Sequence, residues 1–371
     1  MERTAQGIVR RNGTQFEIDG LPFFFAGCNC YHILYSDRDT TLRLLDEMHG
    51  IGATVVRIWA FGHGAGSPVE EPKGVYGEAY LEHLDFILDE ASKRGLRMIL
   101  VLENFWPDYG GISARLAWEG LPDRSLAERA AFFTHVACLE GYEAYARNLL
   151  TRVNGISGVS YREDPTVFAW ELMNEPRYQD VSEEENLSGA TLRAWVDRMG
   201  AFVKGLDSIH LLGAGLEGHG SVYGFGGDEG NDFLHIHQSP FLDFCTSHPY
   251  PDAEWCGMDP NGARELVRQH VRDAHRRIGK PYVLEEFNTT RFLDYEAYWQ
   301  AMYDAVEEEN ASGDLFWCYY QDGGGGFNLC KHDPVVKTVF RRHAQFMNGK
   351  SGNIGAKPPE SSASWGRAAD T

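Results

Sequence analysis

The chain alternates short apolar runs with longer segments of helical spacing, and no other feature constrains its fold as much. Runs at 22–27, 53–60, 96–102, from Phe168 onward, and at 210–213, 241–247, 281–286 and 314–319 predict buried strands. Segments at 40–50, 79–95, 126–152, 191–206, 263–278, 295–310 and 335–347 predict helices, with a short one at 232–238. In the first two helices the apolar spacing is carried by Leu42, Leu45 and Met48, then by Leu81, Leu84, Ile87 and Leu88. About eight strand-then-helix units over 371 residues is the count of an α/β (β/α)8 TIM barrel. A doubly wound sheet in two domains is the alternative, but no linker or shift in composition divides the chain. Residues 8–18 predict a small β-hairpin around Asn12 and Gly13, placed to close the bottom of the barrel. We expect 1–348 to form a single barrel domain, and 349–371, rich in Ser, Ala, Gly and Pro, to be a disordered tail.

In such a barrel, residues at the C-terminal ends of the strands converge on one face. The stretch Phe-Ala-Trp-Glu-Leu-Met-Asn-Glu-Pro-Arg (168–177) ends an apolar run in Asn174 and Glu175, and Pro176 cannot extend a ladder. The other strand ends contribute Asn29, Arg57 with Trp59, Asn104 with Trp106, His248 with Tyr250, Glu285 with Glu286, and Trp317. Strand alternation sends one of Glu285 and Glu286 inward and the other outward. Two facing carboxyls flanked by aromatics suit cleavage of a glycosidic bond, one protonating the leaving oxygen while the other attacks. Three blander readings stand beside this one. Arg57 could pair with an acid inside the barrel, His248 could be a hydrogen-bonded core histidine, and Trp317 could be plain core.

Composition narrows the partners. A formal charge of −20, from 54 acidic and 34 basic residues, argues against nucleic acid or another polyanion. Aromatics at 13% fill cores and equally suit a cleft that stacks sugar rings. Seven scattered Cys (28, 30, 138, 245, 256, 318, 330) lack zinc or redox spacing and read as mostly reduced thiols. Neither cofactor nor metal is expected. No run reaches the length of a membrane span, and Met-Glu-Arg-Thr-Ala-Gln-Gly at the start has no apolar signal region. The expected location is therefore cytoplasmic, or secreted if a leader has been exchanged for Met.

Longer stretches carry a family likeness. They are Val-Val-Arg-Ile-Trp-Ala-Phe (55–61), Leu-Glu-Asn-Phe-Trp-Pro-Asp-Tyr-Gly-Gly (102–111) and Trp-Glu-Leu-Met-Asn-Glu-Pro-Arg (170–177). Later come His-Pro-Tyr-Pro-Asp (248–252), Val-Leu-Glu-Glu-Phe (283–287) and Gly-Asp-Leu-Phe-Trp (313–317). The chain resembles glycoside hydrolase family 5, within the clan of retaining (β/α)8 glycosidases, and most closely its endo-β-1,4-mannanase branch. The likeness runs from about residue 7 to 348. Asn-Glu-Pro alone marks the broad clan, while Arg177, the loop from Trp106 and His-Pro-Tyr-Pro-Asp narrow it towards mannan-active members.

The resemblance implies Glu175 as acid/base and Glu286 as nucleophile, leaving Glu285 as the outward neighbour. It implies that Asn174 bonds the sugar 2-hydroxyl, that Arg57 and Tyr250 orient and ionise Glu286, and that His248 lines the site near the acid/base. Trp317 would floor the subsite of the sugar under attack. Trp106, Arg177 and Asn29 complete the expected substrate contacts. The implied reaction is retaining hydrolysis of β-1,4-mannosidic bonds in mannan or manno-oligosaccharides, preferentially internal. Exo-acting β-mannosidase and β-1,4-glucanase are alternatives on the same machinery. Asn288 stands where Gly is usual, Glu103 where Asn is usual, and Pro249 where a bulkier apolar residue is common. These departures bear on subsites and chain-end preference.

Two other classes draw on different residues. Gly323, Gly324, Gly325 and Gly326 follow the last strand, where phosphate-binding barrels keep their anion grip. No helix start follows them at once, and the chain is acidic. A metal hydrolase would draw on Glu103, Glu175, His248, His235 and His237, whose spacing fits no usual ligand motif.

Overall fold

A computed structural model describes residues 7–351, apart from 65, 67, 68, 291–293 and 325. Strands β1 (Val9–Asn12), β2 (Gln15–Ile18) and β3 (Leu21–Phe23) form an antiparallel sheet in the order β1-β2-β3. The expected hairpin is thus the first two strands of a meander. Eight further strands, all parallel, make the barrel: β4 (Phe25–Asn29), β5 (Val55–Trp59), β6 (Arg97–Val101), β7 (Val167–Glu171), β8 (Leu211–Gly213), β9 (Cys245–Ser247), β10 (Tyr282–Leu284) and β11 (Gly313–Phe316). Their order is β8-β7-β6-β5-β4-β11-β10-β9, so β4 pairs with β11 and the first and last barrel strands meet. The seam between β8 and β9 has no ladder, but Asp243 N–H donates to Leu212 O (2.9 Å) and His248 N–H to Glu217 O (2.8 Å) across it.

The barrel's lower interior is apolar. Phe16 and Phe23, from the small sheet, meet Phe25 and Phe168 at its floor, and Phe16 also meets Phe244, with ring centroids 5.1–6.4 Å apart. This plug closes the barrel's base to water and leaves the upper end for polar groups. Helices surround the barrel, beginning with Arg38–Ile51, which Asp37 caps through Thr40 N–H (2.7 Å). That helix buries Leu44 where Leu42 was expected, with Leu45 and Met48 as predicted.

Several boundaries differ from expectation for local reasons. The predicted strand at 22–27 divides at Phe24, its first half joining the small sheet. The predicted helix at 126–152 breaks into Leu126–Arg129, a turn at Ala130–Phe133 and a helix at Val136–Leu150. The break turns Phe132 and Phe133 inward onto Trp195, at 6.1 and 5.3 Å. Outside the predicted helices, the acidic run 183–185 opens a short helix, Glu183–Ser188, capped by Ser182. The last helix, Arg341–Lys350, passes the expected boundary at 348, and 352–371 lie outside the described residues. All seven Cys are free thiols, and among the described residues no helix is long and apolar enough to cross a membrane.

Candidate active site

Arg57 organises the top of the barrel. It is fully buried, and a buried guanidinium must be paired. Its Nε and Nη2 donate to Glu171 (3.0 and 2.5 Å), Nη1 to Asn29 Oδ1 (3.0 Å) and Glu286 Oε1 (2.5 Å), and Nη2 also to Asn174 Oδ1 (2.8 Å). The bland and the functional readings of Arg57 therefore both hold: it pairs with an interior acid and it reaches a strand-end carboxyl.

Glu175 and Glu286 come together as the sequence suggested, and their carboxylate oxygens, with His248, lie within 4.8 Å of one another. That is close to the roughly 5–5.5 Å carboxyl separation of retaining glycosidases. Glu175 sits four residues beyond the end of β7 in left-handed backbone, φ 54°, a conformation uncommon for a non-glycine residue. Its N–H donates to Gly215 O (2.8 Å). Gly215 is required at this approach, because a Cβ there would lie 2.0 Å from Met173 O and 2.5 Å from Glu171 Oε1.

The two carboxyls are dressed differently. Glu175 accepts from Trp106 Nε1–H (2.6 Å) and faces His248 Nδ1 (3.0 Å). Glu286 accepts from Arg57 and from the Tyr250 hydroxyl (3.0 Å). Burial pushes the Glu286 carboxyl up, to about 8, with nearby Glu175 adding to the rise while Arg57 and Tyr250 pull it down.

His248 is fully buried, and burial, with the Arg57 charge second, pulls it down to about 3, so its ring is neutral at physiological pH. Its Nε2 lies 3.2 Å from Glu285 Oε2. Glu285 was expected to face outward. It is fully buried against His248, because β10 ends at Leu284 and strand alternation no longer applies. Burial, then the neighbouring Glu171, raise Glu285 well above the usual carboxyl range against the pull of Arg57. The proton on a neutral Glu285 has two neighbours to meet, the Glu171 carboxylate and His248 Nε2; given to Nε2, it leaves the one N–H of a neutral His248 on Nδ1, aimed at Glu175.

Trp317 is half-buried and stacks on Tyr31 at 4.9 Å and 5°, and Tyr31 in turn packs on Trp59 at 4.9 Å. Asn288, where relatives were expected to have Gly, donates its amide to Trp317 O and accepts from Trp299 Nε1–H (3.3 Å). The departure thus braces the aromatic wall. Asn29 departs from the expected sugar contact. Its Nδ2 donates to Glu285 O (2.9 Å) and Leu315 O (3.2 Å) and its Oδ1 serves Arg57, so it positions Arg57 from a buried place. Asn174 gives Nδ2 to Asn104 Oδ1 (3.0 Å), which leaves one amide hydrogen for a ligand.

Arg177 lies on the Glu175 side, its guanidinium over Trp106 at 5.1 Å. It donates to both oxygens of Glu217 (2.5 and 2.6 Å) and pairs with Glu229 (2.8 Å), while His219 Nδ1 meets Glu229 at 2.6 Å. Sequence reading gave no role to Glu171, Glu217, His219 or Glu229. A lone acid inside the apolar run of β7 was the available signal for Glu171, since such a charge needs a partner. The others lie on an irregular loop with no periodicity.

The alternative site classes find no support in this geometry. Glu103 is held by Arg115 and His63, which together outweigh its burial and bring it down to about 2. His237 is spent on Phe233 O and Thr246 N–H. Both acid-and-histidine clusters of the described residues, around Glu286 and around Glu217, already contain an arginine as their cation. Beyond Trp317 the chain returns through Phe327 and Leu329, whose backbone bonds Cys318 and Tyr320, and among the described residues no helix begins at the glycines. A Cβ on Gly323 would lie 3.4 Å from Asp333 Oδ2, a carboxylate that repels an anion, and Gly325 lies outside the described residues.

Residues 6–319 match the family profile described as GH family 5 beta-mannosidase-like. The chain is 37% identical over 336 residues to putative mannan endo-1,4-beta-mannosidase 9 of Oryza sativa subsp. japonica, covering 84% of this chain and 81% of that one. It is 36% identical over 302 residues to mannan endo-1,4-beta-mannosidase 5 of Solanum lycopersicum, covering 76% and 71%. Its structure superposes on the endo-1,4-beta-mannanase of Rhizomucor miehei with a TM-score of 0.81 and 29% identity, over 92% of this chain and 99% of that one. With eight parallel strands, paired strand-end glutamates and this similarity over most of its length, the chain belongs to glycoside hydrolase family 5 and is a β-mannosidase-like glycoside hydrolase.

Proposed function

We propose that the enzyme cleaves internal β-1,4-mannosidic bonds of mannan and manno-oligosaccharides by double displacement. The observation that carries this is the unequal dressing of two glutamates within 4.8 Å of one another. Glu286, fed by Arg57 and Tyr250, attacks the anomeric carbon. Glu175 protonates the departing glycosidic oxygen, and the bond between that oxygen and the anomeric carbon breaks. In the second step Glu175 takes a proton from water, which displaces Glu286 and restores the original anomeric configuration. Arg57 and Tyr250 donate to Glu286 and favour its charged form against the burial that raises it to about 8, which keeps the nucleophile available as carboxylate. The free amide hydrogen of Asn174 meets the sugar 2-hydroxyl, and Trp317 on Tyr31 receives the ring.

Internal cleavage follows the mannan endo-1,4-beta-mannosidases to which the chain is 36–37% identical. Product analysis on mannohexaose, galactomannan and cellohexaose tests the reading. Mannobiose and mannotriose from the first, with retained configuration in the earliest products, are expected. Mannose alone would make the enzyme exo-acting, and faster release from cellohexaose would move it to β-1,4-glucan.

A further inference from the structure

Trp255 stands on the loop after β9 with 55% of its surface exposed, yet it is rigidly placed. Its indole rests on His219 at 5.1 Å and Phe225 at 5.3 Å, and those two rings meet edge-on at 4.7 Å. The loop itself is pinned by Ala253 N–H to Tyr250 O (3.1 Å), Cys256 N–H to Ala253 O (2.9 Å) and Met258 N–H to Pro251 O (2.7 Å). A single exposed Trp on a protein surface is ordinary. This one is backed by a buried charged cluster that leads to the acid/base: His219 holds Glu229, Glu229 holds Arg177, Arg177 covers Trp106, and Trp106 donates to Glu175.

We propose that Trp255 is a sugar-stacking residue on the leaving-group side of the cleft, taking the pyranose face of a mannan unit beyond the one joined to the scissile oxygen. The inference rests on the mannanase reading and adds a direction to the cleft. Glu175 protonates the leaving oxygen, so the departing chain runs along the wall that continues from Glu175 through Arg177. The opposite wall, Trp317 on Tyr31, is joined to Phe287, the residue after the nucleophile, by Trp317 N–H to Phe287 O (3.1 Å), and takes the retained sugars. A pyranose presents a face of C–H groups that packs on an indole, and an indole already fixed from beneath loses little freedom on contact. His219, Glu229 and Glu217 act as positioning residues under this platform.

The test compares Trp255→Ala and Trp255→Phe on mannohexaose and on 4-nitrophenyl β-mannobioside, whose aryl leaving group carries no further sugar. Trp255→Ala is expected to lower kcat/KM on mannohexaose about tenfold and leave the aryl substrate unchanged, with Trp255→Phe recovering most of the loss. Unchanged kcat/KM on mannohexaose would overturn the inference, and so would an equal loss on both substrates, which marks local disordering. A wild-type enzyme inactive on mannohexaose would remove the mannanase reading first, whereas failure at Trp255 alone leaves that reading standing.

Discussion

Arg57 grips Glu171 at two points, Nη2 to Oε1 at 2.5 Å and Nε to Oε2 at 3.0 Å, with both side chains fully buried. This pair fixes the plane of the guanidinium and leaves Nη1 turned to Glu286. Glu171→Gln keeps the volume and removes the charge. Breaking one side of such a buried pair is expected to cost about 3 kcal/mol in urea unfolding and to lower kcat about tenfold, because Arg57 loses its aim. An unchanged midpoint and an unchanged kcat would show that Glu171 does not set the plane.

Removal of the two glutamates separates their roles. Glu286→Ala is expected to abolish turnover of every substrate, since no other group in the site is placed to form the covalent bond. Glu175→Ala should lose mannan cleavage while sparing the first step for dinitrophenyl glycosides, whose leaving group needs no proton. Accumulation of the glycosyl-enzyme with Glu175→Ala, followed by mass spectrometry, checks both; wild-type mannan turnover by either variant would displace the assignment.

Both glutamates were legible because they follow buried strands and sit in stretches that resemble a family, and the same is true of Arg57, Tyr250 and Trp317. The barrel was legible because each strand-helix unit repeats one pattern of burial. What stayed hidden depends on partners far apart in sequence. Glu171 looks like part of an apolar strand until Arg57, 114 residues away, is seen beside it. Glu285 was assigned by alternation, which fails once the ladder stops at Leu284. Glu217, His219 and Glu229 lie on the irregular segment after β8, where no period points to a face, so only the fold brings them to Arg177.

The pH profile should report the proton held by the catalytic pair. Glu286 attacks in its charged form, so with its carboxyl raised to about 8, kcat/KM is expected to rise with pH towards that value. The Tyr250 hydroxyl stabilises the charged form of Glu286, so its loss raises the carboxyl further. Tyr250→Phe is therefore expected to move this acid limb to higher pH while lowering kcat, measured on mannotetraose between pH 4 and 10. A limb that moves down, or stays in place, would remove Tyr250 from the set of groups that govern this proton.

The tautomer of His248 gives a sharper test, because it can be separated from charge. Burial raises Glu285 well above the usual carboxyl range, towards the neutral form that Gln mimics without a change of charge. The Gln amide still donates to Nε2 of His248, keeping the N–H on Nδ1 towards Glu175, 3.0 Å away. Glu285→Gln is expected to keep kcat within about twofold of wild type. Glu285→Leu removes the donor, frees the ring to place its hydrogen on Nε2, and turns a lone pair towards the carboxylate of Glu175. That variant should lose about a hundredfold in kcat, since a misplaced imidazole proton disables a carboxyl it is meant to orient. Nitrogen chemical shifts of His248 in the two variants read the tautomer directly. If the Leu variant keeps Nδ1 protonated and keeps its activity, Glu285 does not set the tautomer, and the orientation of His248 must come from its own backbone bond to Glu217 O.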